Sequence, residues 1–173
     1  MRLIDKPLRG EYSPHAIAYI NLLPNDGCVL QHMQNNFNAV KQLIAGLPEE
    51  KLYYRYAPGK WSIKETLVHI MDDERIYAYR ALRIARNDKT PLPGFEQDDY
   101  VPYSKADERN VENIFAEYEA IRTSTILLFN SFNNEDLLRI GIANNHPMSV
   151  RAAAYHIAGH ELHHLNIIKT KYL

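Results

Sequence analysis

Apolar positions recur every three or four residues along four stretches of the chain, the spacing of helices buried on one face. Leu30, Met33, Phe37, Val40 and Ile44 set the first, predicted from near Asp26 to Gly46, with Pro48 just beyond. The second opens firmly at Ser62: Ser62 and Glu65 make a capping box and Trp61 supplies the bulky residue before it. It runs to about Arg86, and its inward arc reads Ile63, Thr66, His69, Ile70, Asp73, Ile76, Tyr77, Arg80 and Ile84. The third is expected from near Ser104 to Asn133, with Val111, Phe115, Tyr118, Arg122, Thr125, Phe129 and Phe132 on one face. The fourth runs from the N-cap Ser149 to about Thr170, interrupted only by Gly159.

The remaining segments read as connections. Residues 1–24 form an extended arm with a short helical turn, started by Ser13-Pro14 and ended by Pro24. Pro58-Gly59 marks a turn before the second helix. Asn87–Tyr103, with Pro91, Pro93, Gly94 and Pro102, reads as a loop longer than bundle connections usually are. Asp98 and Asp99 within it are placed to border a site or to face solvent. Ile140–Ala143 is the one stretch that reads as extended. Four amphipathic helices of about five to seven turns each predict an all-α protein, a four-helix bundle with a short N-terminal helical arm, in one domain over residues 1–173.

Charge narrows the partners. The formal net charge is −1 over 173 residues and the basic residues are scattered, which argues against recognition of nucleic acid by bulk charge. The single cysteine, Cys28, sits beside Val29 and Leu30, so no internal disulfide forms and a reducing compartment fits. No apolar leader follows Met1–Gly10 and no run of about 18 apolar residues occurs, so a cytoplasmic protein without membrane contact is expected.

The chemistry concentrates near the C-terminus. Four of the eight histidines lie between His156 and His164. His160 and His164 are one turn apart on the face that carries Val150, Ala153, Ile157, Ile167 and Ile168, and so point inward. Two such imidazoles can share one transition-metal ion with a third ligand from elsewhere, and His69, on the inward arc of the second helix, is that candidate. Three imidazoles suit Zn, Ni or Fe and leave a coordination position open, as a catalytic ion requires. The bland alternative is a set of buried histidines satisfied by hydrogen bonds. Glu161 follows His160 directly and points off the arc, so the H-E-x-x-H arrangement of zincins is absent. His163 and His156 fall at the edge of the arc: His163 offers an alternative i, i+3 pair with His160, and His156 an outer partner. Arg80 and Arg122 also face inward and need anions, from Asp72, Asp73 or Glu74 or from a substrate; Asp73 is one turn from His69 and placed to orient it or to ligate.

Three segments together carry a resemblance: Pro58-Gly59-Lys60-Trp61-Ser62-Ile63-Lys64-Glu65 with His69; Arg80-Ala81-Leu82-Arg83 with Pro91-Leu92-Pro93-Gly94-Phe95; and His156 through His164. In combination they resemble the DinB/YfiT-like superfamily, over nearly the whole chain from about Tyr12 to Tyr172. The resemblance implies a four-helix bundle, a homodimer, and a divalent metal on His69, His160 and His164. It implies several possible reactions. Some relatives transfer a low-molecular-weight thiol such as bacillithiol or mycothiol, one branch isomerises maleylpyruvate with mycothiol, and others are described as damage-inducible proteins or metal-dependent hydrolases. The leading expectation is a metal-dependent transferase that joins a low-molecular-weight thiol to an electrophilic small-molecule substrate. The alternatives are a metal-dependent hydrolase, for which only Glu161 or Asp73 is placed as a base, and a non-catalytic metal-binding stress-response protein.

Overall fold

The computed structural model describes residues 1–173 and forms a four-helix bundle. The long helices are α1 (Val29–Ala45), α2 (Ile63–Ala85), α3 (Val111–Ser131) and α4 (Val150–Ile167), the last widening into a π turn over Ile168–Tyr172. Capping fixes most of the starts. The Ser62 side chain accepts from the Glu65 amide at 3.0 Å while Glu65 accepts from the Ser62 amide at 2.7 Å. Ser149 accepts from the Ala152 amide at 3.0 Å. Replacing such a cap by alanine costs about 1 kcal/mol.

α3 starts later than its pattern predicts. Residues from Ser104 to Arg109 make tight turns, with Lys105 left-handed at φ 51°, and the helix begins only where the Asn110 side chain accepts from the Glu112 amide. The long connection after α2 is also more ordered than its prolines suggest, with a single helical turn at Gln97–Tyr100 and a 3₁₀ turn at Val101–Tyr103. Ile140–Ala143 (β1) is extended and pairs antiparallel with His146–Ser149 (β2), whose strand character the sequence reading did not identify. Asn144 and Asn145 close the hairpin at φ 48° and 62°, the left-handed pair that a two-residue turn demands. Leu92 of the long connection hydrogen bonds to both Ile142 and Asn144, which ties that connection to the hairpin.

α4 is the central element. Every residue from Val150 to Glu161 is buried. It packs on α2, α1 and the short helix Ile17–Ile20. Small residues let those neighbours approach: Ala152, Ala153, Ala154, Ala158 and Gly159 carry little or no side chain, and a Cβ on Gly159 would stand 2.3 Å from the Tyr19 carbonyl oxygen. Apolar packing falls into two clusters. One joins Ile20, Leu30, Met33, Ile84, Phe129, Phe132 and Tyr155 at one end of the bundle. The other joins Phe37, Val40, Leu67, Met71, Phe115, Tyr118 and Leu165 at the other. Each fully buried aliphatic or aromatic side chain contributes about 1.5–3 kcal/mol to that packing. Between the clusters the inward positions of α2, α3 and α4 are polar: His69, Asp73, Glu74, Arg122, His156, His160 and Glu161. No helix is long and apolar enough to cross a membrane.

Candidate metal centre

α2 and α4 bring His69, His160 and His164 together inside this polar layer. The Nε2 atoms of His69 and His160 are 3.0 Å apart, and those of His164 and His160 are 3.1 Å apart. One nitrogen from each residue lies within 4.8 Å of the other two. Three ligand nitrogens held about 2.0–2.1 Å from one tetrahedral ion stand about 3.3 Å from each other, so little movement separates this cluster from a coordinating set. The chemistry of the donors fits the same group. A neutral imidazole nitrogen offers one proton or one lone pair, so His160 Nε2 satisfies only one of its two neighbours. A cation accepts all three lone pairs.

The surroundings keep these imidazoles neutral. Burial pushes His160 down to about 3, against the pull of Asp73 and with help from His156 and His69. Burial also lowers His164, with His160 and His69 adding to it. His69 is lowered by burial too, although Asp73 and Asp98 oppose that. Asp98 and Asp99 are both exposed on the long connection. Trp61 covers one side, its ring centroid 4.7 Å from that of His69 and 6.4 Å from that of His164. His69 and His160 are buried and His164 is half-buried.

Asp73 stands behind the cluster. Its Oδ2 is 3.3 Å from His160 Nδ1 and 3.2 Å from His156 Nε2, though neither contact has hydrogen-bond alignment. A carboxylate against Nδ1 presents Nε2 of the same ring as the free lone pair, the arrangement a ligating histidine needs. Asp73 thus lies against His160 across the helix interface, not against His69 on its own helix. His156 stacks on Tyr77 at 3.6 Å between ring centroids and sets the other edge of this carboxylate. His163 stays outside the cluster, half-buried, its edge on Tyr19.

The two inward arginines part company. Arg122 is buried with Glu74 and Glu161: its Nη2 is 2.8 Å from Glu74 Oε2 and its Nη1 3.0 Å from Glu161 Oε2, and it also donates to the Met33 carbonyl. Tyr118 donates to Glu161 as well. Glu161 is therefore fully buried and engaged by two side chains of α3, not a free base beside the histidines. Of the partners expected for Arg122, Glu74 is correct; Asp72 instead lies 3.5 Å from Arg75, and Asp73 belongs to the imidazoles. Arg80 has no carboxylate partner; it donates to the Pro93 carbonyl at 2.7 Å and lies over the rings of Tyr77 and Phe95. It lines a cavity of about 440 Å³ that also touches Asp73, His156 and His160. Tyr19, which stands edge-on to His156, His160 and His163, and the hairpin residues of this cavity were not identified from periodicity. Both come from the connecting segments, where no helical phase points a side chain at the site.

Comparison with known proteins places this geometry in a family. A protein of Oceanobacillus iheyensis named "putative metal-dependent hydrolase" is 28% identical over 142 residues, 81% of each chain. Among solved structures, YfiT from Bacillus subtilis is described as "a probable metal-dependent hydrolase with an unusual four-helix bundle topology". It matches 95% of this chain and 90% of its own with a TM-score of 0.77 at 13% identity, a likeness of fold. A sequence model of the DinB superfamily matches residues 32–168, a span holding all three clustered histidines and nearly all of the four long helices. By that match the chain belongs to the DinB superfamily.

Proposed function

We propose that this protein is a metal-dependent enzyme, with His69, His160 and His164 as the ligands of one divalent ion and a low-molecular-weight thiol as the nucleophile it transfers to an electrophilic substrate. The observation that carries the reading is the convergence of three Nε2 atoms, from residues about ninety positions apart in sequence, in one buried polar layer. A divalent ion such as Zn, Ni or Fe supplies Lewis acidity there and lowers the pKa of a coordinated thiol or water. The protein does the rest. Burial keeps the three imidazoles deprotonated at neutral pH, so their lone pairs are available for ligation. The Asp73 carboxylate, 3.3 Å from His160 Nδ1, favours the His160 tautomer with Nε2 free. Trp61 shields one side of the cluster from water.

Thiol transfer stands ahead of hydrolysis because it demands no separate base. Glu161 is consumed by Arg122 and Tyr118, and the Asp73 oxygen beside the cluster is shared between two imidazoles. Hydrolysis is the second reading, favoured by the names its relatives carry. In that case Asp73 is the one carboxylate near enough to handle a proton. The test is turnover of a generic electrophile by zinc-, nickel- or iron-loaded protein, with and without a panel of low-molecular-weight thiols, beside His160→Ala. Thiol-dependent turnover lost in His160→Ala supports transfer, and turnover of an ester without thiol supports hydrolysis. Rates equal to background for every combination reject both.

A further inference from the structure

The cavity that reaches the histidine cluster at His160 has a charged wall that an ion on the cluster does not explain. Arg80 is 4% exposed, yet no carboxylate lies within ion-pair distance of its guanidinium. The two other buried arginines are neutralised: Arg122 by Glu74 and Glu161, Arg151 by Glu11. A buried guanidinium without an anion is costly, and the Pro93 carbonyl together with the Tyr77 hydroxyl meets only part of its five-donor fork. The acids of the cavity do not fill the gap. Asp73 is turned to His156 and His160, and Glu96 is exposed on the rim, neither within reach of Arg80.

Aromatic and imidazole rings make up much of the remaining lining, beside the polar Ser13, Gln97 and Asn144 and the apolar Met148. Arg80 lies 4.9 Å over the Tyr77 ring, Tyr77 stacks on His156 at 3.6 Å, and His156 stacks parallel to His160 at 5.6 Å. These contacts run in sequence from the guanidinium to the histidine cluster along one wall. Phe95 and Tyr19 add apolar surface, and His15 and His146 stand on the hairpin side. A volume of about 440 Å³ suits a small organic molecule.

We propose that this cavity takes a small aryl or alkyl carboxylate, its anionic group seated on the Arg80 guanidinium and its apolar body against Tyr77, Phe95 and Tyr19. This deepens the enzymatic reading and rests on it only in naming that molecule the substrate; the anion seat itself needs no metal. Arginine is the residue suited to such a seat, because its planar fork matches a carboxylate in two parallel hydrogen bonds.

The probes are phenylacetate and its neutral isostere phenylacetamide, titrated by calorimetry into the protein as purified, into chelator-treated protein and into zinc-loaded protein. Phenylacetate is expected to bind at least tenfold more tightly than the amide in all three. Arg80→Gln is expected to bring the acid down to the level of the amide, and Arg80→Lys to keep part of the preference. Should Arg80→Gln fail to fold, the acid–amide comparison in the native chain and in Arg80→Lys carries the test. Equal affinity for acid and amide, absence of phenylacetate binding, or a preference that persists in Arg80→Gln overturns the proposal. A preference that vanishes when zinc is removed also overturns it, by assigning the carboxylate to the ion, and leaves the three-histidine reading intact. A preference that follows Arg80 in a protein that never binds zinc supports the seat and removes the metal reading instead.

Discussion

A single oxygen of Asp73 faces two imidazoles, one of which, His160, belongs to the candidate metal centre. The Asp73→Asn substitution keeps the volume and removes the charge, so the preference for the His160 tautomer with a free Nε2 weakens. Zinc affinity is expected to fall roughly 10–100-fold, read by competition with a chromogenic chelator; unchanged affinity would mean that the carboxylate does not orient the ligand. Arg122 is a second residue whose role is decided by its partners. Arg122→Met leaves Glu74 and Glu161 buried side by side without a cation, with an expected loss of about 3–5 kcal/mol in urea denaturation. Helical phase alone placed His69, His160, Asp73, Arg80 and Arg122 inward, and all five are buried. What phase did not reveal is which charge meets which. Glu161 lies off the histidine arc in sequence but points at α3, because α4 is enclosed on every side over this stretch and has no solvent face to give it.

At the level of elements, the junction between α4 and the short helix Ile17–Ile20 positions Tyr19 against the histidines. It depends on Gly159, where any Cβ would meet the Tyr19 carbonyl. Gly159→Ala gains helix propensity, worth about 1 kcal/mol, but forces the two backbones apart, an overpacking cost of about 1–3 kcal/mol. The expected outcome is a lower melting temperature with the far-ultraviolet spectrum retained; a higher melting temperature would show that the arm is free to move away. Helix starts with side-chain caps, Ser62 and Ser149, were legible to within a residue because the cap is a local signal. The start of α3 was not: Ser104 has the composition of a cap, but its hydroxyl donates to the Val101 carbonyl and accepts from the Ala106 amide, serving a 3₁₀ turn that ends before Asn110 starts the helix. The second strand of the hairpin hid for a similar reason. Pro147 breaks its alternation, and only the Asn144-Asn145 turn folds it back on Ile140–Ala143.

In the whole molecule, two apolar clusters hold a polar layer between them, and the candidate metal centre, the Arg122 network and the cavity floor all lie in that layer. The bundle was readable from four amphipathic stripes; the division of its core was not, since it requires the register of three helices at once. The N-terminal arm closes one end through Glu11, which accepts from Ser149 at 2.7 Å and pairs with Arg151 at the start of α4. Burial pushes the Glu11 carboxyl up, and hydrogen bonds from Arg151, Ser149 and the Leu8 amide more than offset it, so its pKa falls below the ordinary 4.5. A lowered folded-state pKa means that this stabilisation is complete above the unfolded value and is lost as the pH falls through and below it. Glu11→Gln should therefore flatten the stability–pH curve between about pH 6 and pH 3, as followed by denaturant midpoints; an identical acid limb in both proteins would remove Glu11 from the account.

The most direct test of the central claim is elemental analysis of the protein after zinc loading and dialysis, set beside His69→Ala, His160→Ala and His164→Ala. One ion per chain in the native protein, reduced to background in each variant that retains its helical spectrum, is the predicted result. A native protein that keeps no ion, or one whose stoichiometry is untouched by removing any of the three imidazoles, would contradict it.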